Sequence, residues 1–198
     1  MIPFPDKKYK TIYADPPWLE RGGGKIKRGA DRHYELMKTK DIIALPVRDL
    51  TEDNCHLYLW VTNNFLQDGL KVMKEWGFTY KTKITWVKGE LLDTEGKTFK
   101  FENAGLGQYF RGLDEVCLFG VKGNLPYKTL DGKRQQGKTV FVAPRGKHSE
   151  KPKVMYEIIE KVSYSPYIEL FARNTRDGFD SWGNDLTKDK EDSPHPLR

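Results

Sequence analysis

Asp15, Pro16, Pro17 and Trp18 follow directly on the apolar run Thr11, Ile12, Tyr13 and Ala14. The residue before a proline is driven toward extended geometry, and each proline ring fixes φ and deletes an amide donor. The chain therefore leaves its strand stiff and rich in acceptors. A carboxylate beside a proline carbonyl presents two acceptors, which is what an exocyclic amine needs. Its lone pair stays delocalised into the ring until hydrogen bonds draw the nitrogen toward a tetrahedral, nucleophilic shape. Asp15 and the Pro16 carbonyl can make those bonds, and Trp18 offers a flat face to a purine, a contact worth about 1–3 kcal/mol per base. Taken singly, these residues read as a turn and a core aromatic. In this order, at the end of a strand where ligand sites of α/β sheets gather, they read as a site.

The elements that must position this turn are legible as apolar, β-branched and aromatic runs. Buried strands are expected at Lys10–Ala14, His56–Val61, Ile84–Val87, Glu115–Val121, Thr139–Val142 and Tyr167–Ala172. Between them, Phe65, Leu66, Leu70, Met73 and Trp76 share one helical face, as do Val154, Met155, Ile158, Ile159 and Val162, with Pro152 at the first turn of the second helix. This alternation predicts an α/β fold, a sheet with helices on both faces. Leu91–Phe101, centred on Asp93, Thr94, Glu95 and Gly96, reads as a hairpin excursion. Residues 1–187 are expected to form a single domain and 188–198 a flexible tail. Segments 20–32 and 127–138 read as mobile, substrate-facing loops. The first carries Lys25, Lys27, Arg28 and Arg32 behind three glycines, and the second Lys128, Lys133, Arg134 and Lys138.

With 198 residues and 37% hydrophobic content, the chain can bury a core without staples. Cys55 and Cys117 lie in or beside apolar runs and are expected as buried thiols in a reducing compartment. No signal peptide and no apolar stretch of spanning length is visible, which predicts a cytoplasmic protein. A formal charge of +6 favours a polyanionic partner. His33, His56, His148, His195 and the cysteines lack zinc-ligand spacing, so no metal is expected.

Beyond the Asp-Pro-Pro-Trp turn, several stretches occur in a recognisable order: His33–Met37, Leu57–Thr62, Ile84–Lys88, Glu115–Gly123, His148–Pro152, Ile168–Arg173 and Trp182–Asn184. In these residues the chain resembles the DPPW family of adenine-N6 methyltransferases, the family of the catalytic subunit of the mRNA adenosine methyltransferase, and in particular its bacterial and phage DNA-modifying branch. The resemblance implies a permuted Rossmann-like, S-adenosylmethionine-dependent methyltransferase fold with a mixed sheet. It implies S-adenosylmethionine as methyl donor, S-adenosylhomocysteine as product, and in-line attack by adenine N6 on a base that is flipped out or single-stranded. Asp15 would lie near the donor's amino group, Lys151 near its carboxylate, and Arg173 with Asn184 near its ribose. Glu169 and Phe171 would shape the same pocket, and Asp185 would accept from a second hydroxyl. Tyr34 would line the acceptor adenine, and Tyr109, Arg111 and Glu115 would belong to the substrate wall. Lys25, Lys27 and Arg28 are the expected backbone contacts.

The chain departs from the longer eukaryotic members at Thr175, where they have histidine, and in lacking a counterpart of their acidic residue upstream of the turn. No separate target-recognition domain is expected, so sequence choice is expected from the loops or from a partner subunit, and a homodimer or a partner subunit is the expected assembly. DNA is the favoured substrate and a bacterial or phage-infected cell the expected setting. Methylation of RNA and a catalytically inactive partner subunit are the alternatives.

Overall fold

The computed structural model describes residues 2–19, 36–93, 95–105, 109–146 and 150–187. The first element is β1 (Tyr9–Ala14), followed by the short helix α1 (Thr39–Ile43), β2 (Thr51–Val61), α2 (Leu66–Glu75), β3 (Thr79–Leu91), β4 (Phe99–Phe101) and β5 (Asp114–Lys122). A small hairpin, β6 (Thr129–Leu130) and β7 (Lys133–Arg134), precedes β8 (Val140–Ala143), α3 (Val154–Val162), β9 (Tyr167–Leu170) and β10 (Phe179–Trp182). The large sheet has eight strands in the order β10-β9-β1-β2-β5-β3-β4, with β8 also on β3. Strands β10, β9, β1 and β2 run parallel to one another, and β5 is antiparallel to both β2 and β3. The expected mixed sheet is therefore present. β1 is flanked by β2 on one side and β9 on the other, which makes its carboxyl end the switch point of the parallel half.

Period-two alternation divides the sheet's side chains into two cores. Ile12, Ala14, Leu57, Leu59, Leu118, Ile168 and Leu170 face Ile42 of α1 and Val72, Met73 and Trp76 around α2. Tyr13, Tyr58, Trp60, Ile84, Trp86 and Cys117 face Met155 and Ile159 of α3. Full burial of a side chain such as Met155 or Ile159 is worth roughly 1.5–3 kcal/mol, so both helices are held by their apolar faces. Both cysteines are buried free thiols. Among the described residues, no helix is long and apolar enough to cross a membrane.

Several boundaries differ from expectation. β9 stops at Leu170 because Phe171 adopts φ +65°, which breaks the ladder. α3 begins at Val154, two residues after Pro152. The hairpin excursion exists but is longer, because β3 runs on to Leu91 and pairs there with Phe99. β10 and α1 were not expected at all. Segment 127–138 contains the β6–β7 hairpin, turning on Asp131 and Gly132 at positive φ. Its neck is tied down where Lys128 N donates to Val162 O and Lys128 Nζ to Glu160 O. That anchor is at the carboxyl end of α3, the opposite end of the sheet from Asp15.

Candidate active site

Alternation along five strands decides which side chains meet at the carboxyl end of β1. Continuing from Tyr13, Glu169, Trp60, Trp86 and Cys117, the next positions on the α3 face are Asp15 after β1, Glu115 at the start of β5 and Lys88 on β3. Lys151 enters from the segment that leads into α3. Its Nζ lies 3.0 Å from Asp15 Oδ2 and 3.1 Å from Glu115 Oε2, and Glu115 Oε1 accepts from Lys88 Nζ at 2.6 Å. The result is a chain of alternating charge, Lys88, Glu115, Lys151, Asp15. Both ammonium groups lie over indoles, Lys151 at 5.3 Å from the Trp60 ring centroid and Lys88 at 5.3 Å from that of Trp86.

Burial disfavours each charge, and the neighbours reverse that cost. For Glu115, burial pushes the carboxyl up, but Lys151 and Lys88 outweigh it and hold it below the usual value. For Lys151, burial pulls the ammonium down, and Asp15 with Glu115 more than restores it. Glu115 and Lys151 are thus both charged near neutral pH. The separate anion and cation expected for a zwitterion are neighbours here, paired with each other. An amino acid carries its ammonium and carboxylate on one carbon, so an adjacent anion and cation is the complement it requires.

The turn itself is pinned by backbone bonds. Asp15 N donates to Leu170 O, Trp18 N to Pro16 O at 2.9 Å, and Met37 N to Pro17 O. A carbonyl has two lone pairs, so the Pro16 bond leaves one acceptor position. Trp18 is placed otherwise than the sequence suggested. It is 5% exposed, its indole N–H donates to Trp60 O at 3.0 Å, and its ring is stacked on Phe65. Burying the indole in the core leaves no open face for a purine, and its role in the turn is to anchor it.

On the other side of Asp15, Glu169 accepts from the Tyr156 hydroxyl at 2.8 Å, and the Arg176 guanidinium lies 4.3 Å from the Tyr156 ring. Burial, with Asp15 adding to it, pushes the Glu169 carboxyl up to about 7 against the opposing Tyr156, Arg176 and Arg173. Phe171, at positive φ, packs edge-on against Trp182 at 5.6 Å. Such a conformation is an outlier for a bulky residue and costs of order 1–3 kcal/mol, the kind of strain that concentrates at ligand sites. The β9–β10 end is also unusually tight. A Cβ on Gly183 would collide with the Ala172 carbonyl oxygen and lie 2.7 Å from its nitrogen. Arg173 and Asn184 follow β9 and β10 at this end. Ser181 Oγ, Thr62 Oγ1 and Arg176 Nε are buried with no hydrogen-bond partner among the described residues.

The structure therefore brings together Asp15, Pro16, Pro17, Glu115 and Lys151, with Glu169, Phe171, Arg173 and Asn184 at the same end of the sheet. Arg111 lies on the loop before β5 with its Nε donating to Gly105 O, and Tyr109 is exposed beside it. Lys25, Lys27, Arg28, Tyr34 and the Asp185 side chain lie outside the described residues, as do the whole of segment 20–32 and the tail 188–198. Sequence reasoning missed Lys88, Trp60, Tyr156 and Arg176. Among the described residues no group of His, Cys, Asp and Glu side chains is arranged to hold a metal ion.

Comparison with known proteins fits this site. Residues 9–185 match the MT-A70 family. The chain is 31% identical to the Type II methyltransferase M.MunI of Mycoplasma sp over 96% of its own length and 83% of that protein's. It is 31% identical to the human N(6)-adenosine-methyltransferase catalytic subunit METTL3, covering 90% of this chain and 28% of that one. With the human N(6)-adenine-specific methyltransferase METTL4 it shares 29% identity over 92% of this chain and 38% of the relative. The chain thus spans under two fifths of these human relatives and most of the Mycoplasma protein. On a family match that runs from the first residue of β1 to beyond β10, this chain belongs to the MT-A70 family of N6-adenine methyltransferases.

Proposed function

We propose that this chain methylates N6 of adenine in DNA, with S-adenosylmethionine as donor, at the carboxyl end of β1. The observation that carries the proposal is the Asp15–Lys151 pair, an anion and a cation 3.0 Å apart at the switch point of the sheet, beside a proline carbonyl with acceptor capacity to spare. The residues fit the donor. Asp15 and Lys151 would take its ammonium and carboxylate. Arg173, Asn184 and the Ser181 hydroxyl, which has no hydrogen-bond partner among the described residues, stand at the end of the sheet where its sugar would be met. When bound, the donor supplies an electrophilic methyl carried on a sulfonium.

The protein's own contribution is orientation and charge. Asp15 and the Pro16 carbonyl accept from the two amine hydrogens and so turn the nitrogen lone pair out of the ring plane. Holding the amine in one geometry is worth up to about 7–11 kcal/mol of barrier. Asp15 need not be a strong base, because the amine becomes acidic only once alkylated and can lose its proton late. In a duplex the base must first leave the stack, at a few kcal/mol. Coverage supports DNA over RNA: the chain spans most of the relative named as a Type II methyltransferase and only a minor part of those named for adenosine. An intact charge cluster argues against an inactive partner subunit.

The test is incubation of matched DNA and RNA oligonucleotides with labelled donor, followed by digestion and mass analysis. N6-methyladenine in DNA, lost in Asp15→Ala, is the expected result. Label in RNA alone would move the substrate to RNA, and near wild-type transfer by Asp15→Ala would remove Asp15 from the chemistry.

A further inference from the structure

We propose that Lys88 is a positioning residue of the methyl-transfer site, holding Glu115 in place so that Lys151 can exchange partners when a zwitterionic donor enters. The inference rests on the function proposed above. Its basis is the order of the charge chain: Lys88 Nζ is 2.6 Å from Glu115 Oε1, while Glu115 Oε2 is 3.1 Å from Lys151 Nζ. A lysine on a strand is ordinarily a solvated side chain, but this one is only 14% exposed and lies over Trp86. Its backbone is fixed on both sides, with its N–H donating to Leu113 O at 2.8 Å and its carbonyl accepting from Glu102 N at 3.1 Å. The ammonium is therefore delivered to Glu115 by a rigid strand.

The consequence appears when Lys151 turns to a donor carboxylate. Asp15 then faces the donor's ammonium, and Glu115 loses one of its two cations. With Lys88 in place, Glu115 stays paired and ionised. Without it, Glu115 either competes with the donor for Lys151 or takes up a proton. The charged and titratable groups facing Glu115 are Lys88 from β3 and Lys151 from the segment before α3, with Asp15 behind Lys151 and Cys117 on the same face of β5. Lys88 and Lys151 are the cations that hold the Glu115 carboxyl below its usual value.

The experiment compares wild type, Lys88→Met and Lys88→Arg for donor binding by calorimetry and for the pH profile of methyl transfer. Lys88→Met should weaken donor binding about tenfold and move the acid limb of the profile up by about one pH unit, the size of effect one close opposite charge has on a carboxylate. Lys88→Arg, which keeps the charge, should restore both. In a Glu115→Gln background, Lys88→Met should change donor affinity little. Wild-type affinity and an unmoved acid limb in Lys88→Met would overturn the proposal. If that variant does not fold, Lys88→Arg decides, and an acid limb displaced despite the retained charge would count against it. A wild-type protein that binds donor but never methylates adenine would overturn the proposed function instead, while the affinity comparison would still decide the part played by Lys88.

Discussion

Lys151 Nζ sits between two carboxylates, 3.0 Å from Asp15 Oδ2 and 3.1 Å from Glu115 Oε2, so one cation holds together two anions that would otherwise repel. Removing it should be worse for the fold than removing either partner. Lys151→Met leaves both carboxylates in a largely buried site and is expected to lower the unfolding free energy by about 3 kcal/mol. Asp15→Asn leaves Lys151 with Glu115 and should cost less, yet reduce methyl transfer by about a hundredfold or more. Urea unfolding and a labelled-methyl assay on the two variants check both halves. Equal stability losses would mean that Lys151 is not the member that organises the cluster.

Glu169 gives a pH signature. Its carboxyl is pushed up to about 7 in the fold, chiefly by burial, whereas the unfolded chain carries an ordinary carboxyl. The folded state therefore binds the extra proton above the ordinary value. The Glu169 contribution to stability is present below that value and is lost as pH rises through about 7, with a slope of at most about 1.4 kcal/mol per pH unit. Glu169→Gln, which mimics the protonated form and still accepts from Tyr156, should remove this slope and be the more stable protein at pH 8. Thermal melts across pH 5 to 8 would show it. Parallel wild-type and variant curves would contradict the assignment.

His56 should act with the opposite sign. Its Nδ1 is 2.8 Å from Ser163 Oγ, which is 2.7 Å from Tyr58 OH, and its Nε2 is 2.9 Å from Leu125 O. All bonds are satisfied when Tyr58 donates to Ser163, Ser163 donates to Nδ1, and Nε2–H donates to Leu125 O, an arrangement that requires a neutral ring. Burial lowers the His56 pKa below its ordinary value, only partly opposed by Leu125. The unfolded state thus gains the proton first, so this contribution is complete above about pH 6.5 and is lost as pH falls. His56→Ala should abolish the acid-side loss while costing about 1–3 kcal/mol at neutral pH through the orphaned Ser163 hydroxyl. An unchanged acid slope in that variant would place the sensitivity elsewhere.

The sites of agreement and failure between sequence and structure have physical reasons. The central strands were legible because apolar runs such as Leu57–Val61 are buried on both sheet faces. β10 was not, because Asp180 and Ser181 interrupt its apolar pattern, with Asp180 turned outward to accept from Lys7 and Tyr9. The polar beginnings of β2 and β3 were missed for the same reason. Trp18 was misread because nothing local tells an indole that faces a ligand from one that donates to Trp60 O. Lys88 could have been found. It stands two residues after buried Trp86, which pairs with Glu115, so alternation alone sets Lys88 on the Glu115 face once that register is known. Only the pairing of distant strands supplies the register.

Gly183 tests how tightly the β9–β10 end is built. A Cβ there meets the Ala172 backbone, which cannot rotate aside as a side chain could. Ala172 N also donates to Trp182 O at 3.0 Å, so the two segments are locked together. Gly183→Ala should cost about 1–3 kcal/mol and displace Asn184 and Phe171 from their places. Donor affinity should fall more than the melting temperature alone would account for. A variant with wild-type affinity and a wild-type melt would show that this approach has slack.

Lys25, Lys27 and Arg28 lie outside the described residues, but their place in the chain is informative, because the segment starts immediately after the turn that ends at Leu19. On the proposed function these three are the expected contacts to phosphates flanking the target base. Each phosphate neutralised on duplex DNA adds about 0.9 to the slope of log affinity against log salt. Replacing all three by alanine should therefore flatten that slope by about two to three units. Methyl transfer to a short single-stranded oligonucleotide at saturating concentration should be nearly retained, since the reacting groups are untouched. Binding titrations from low to moderate salt would decide it. An unchanged slope would assign these residues to solvent and leave backbone recognition to other cations, with Arg145 the first to examine, because Glu102 holds it 3.2 Å away beside the β3–β4 ribbon.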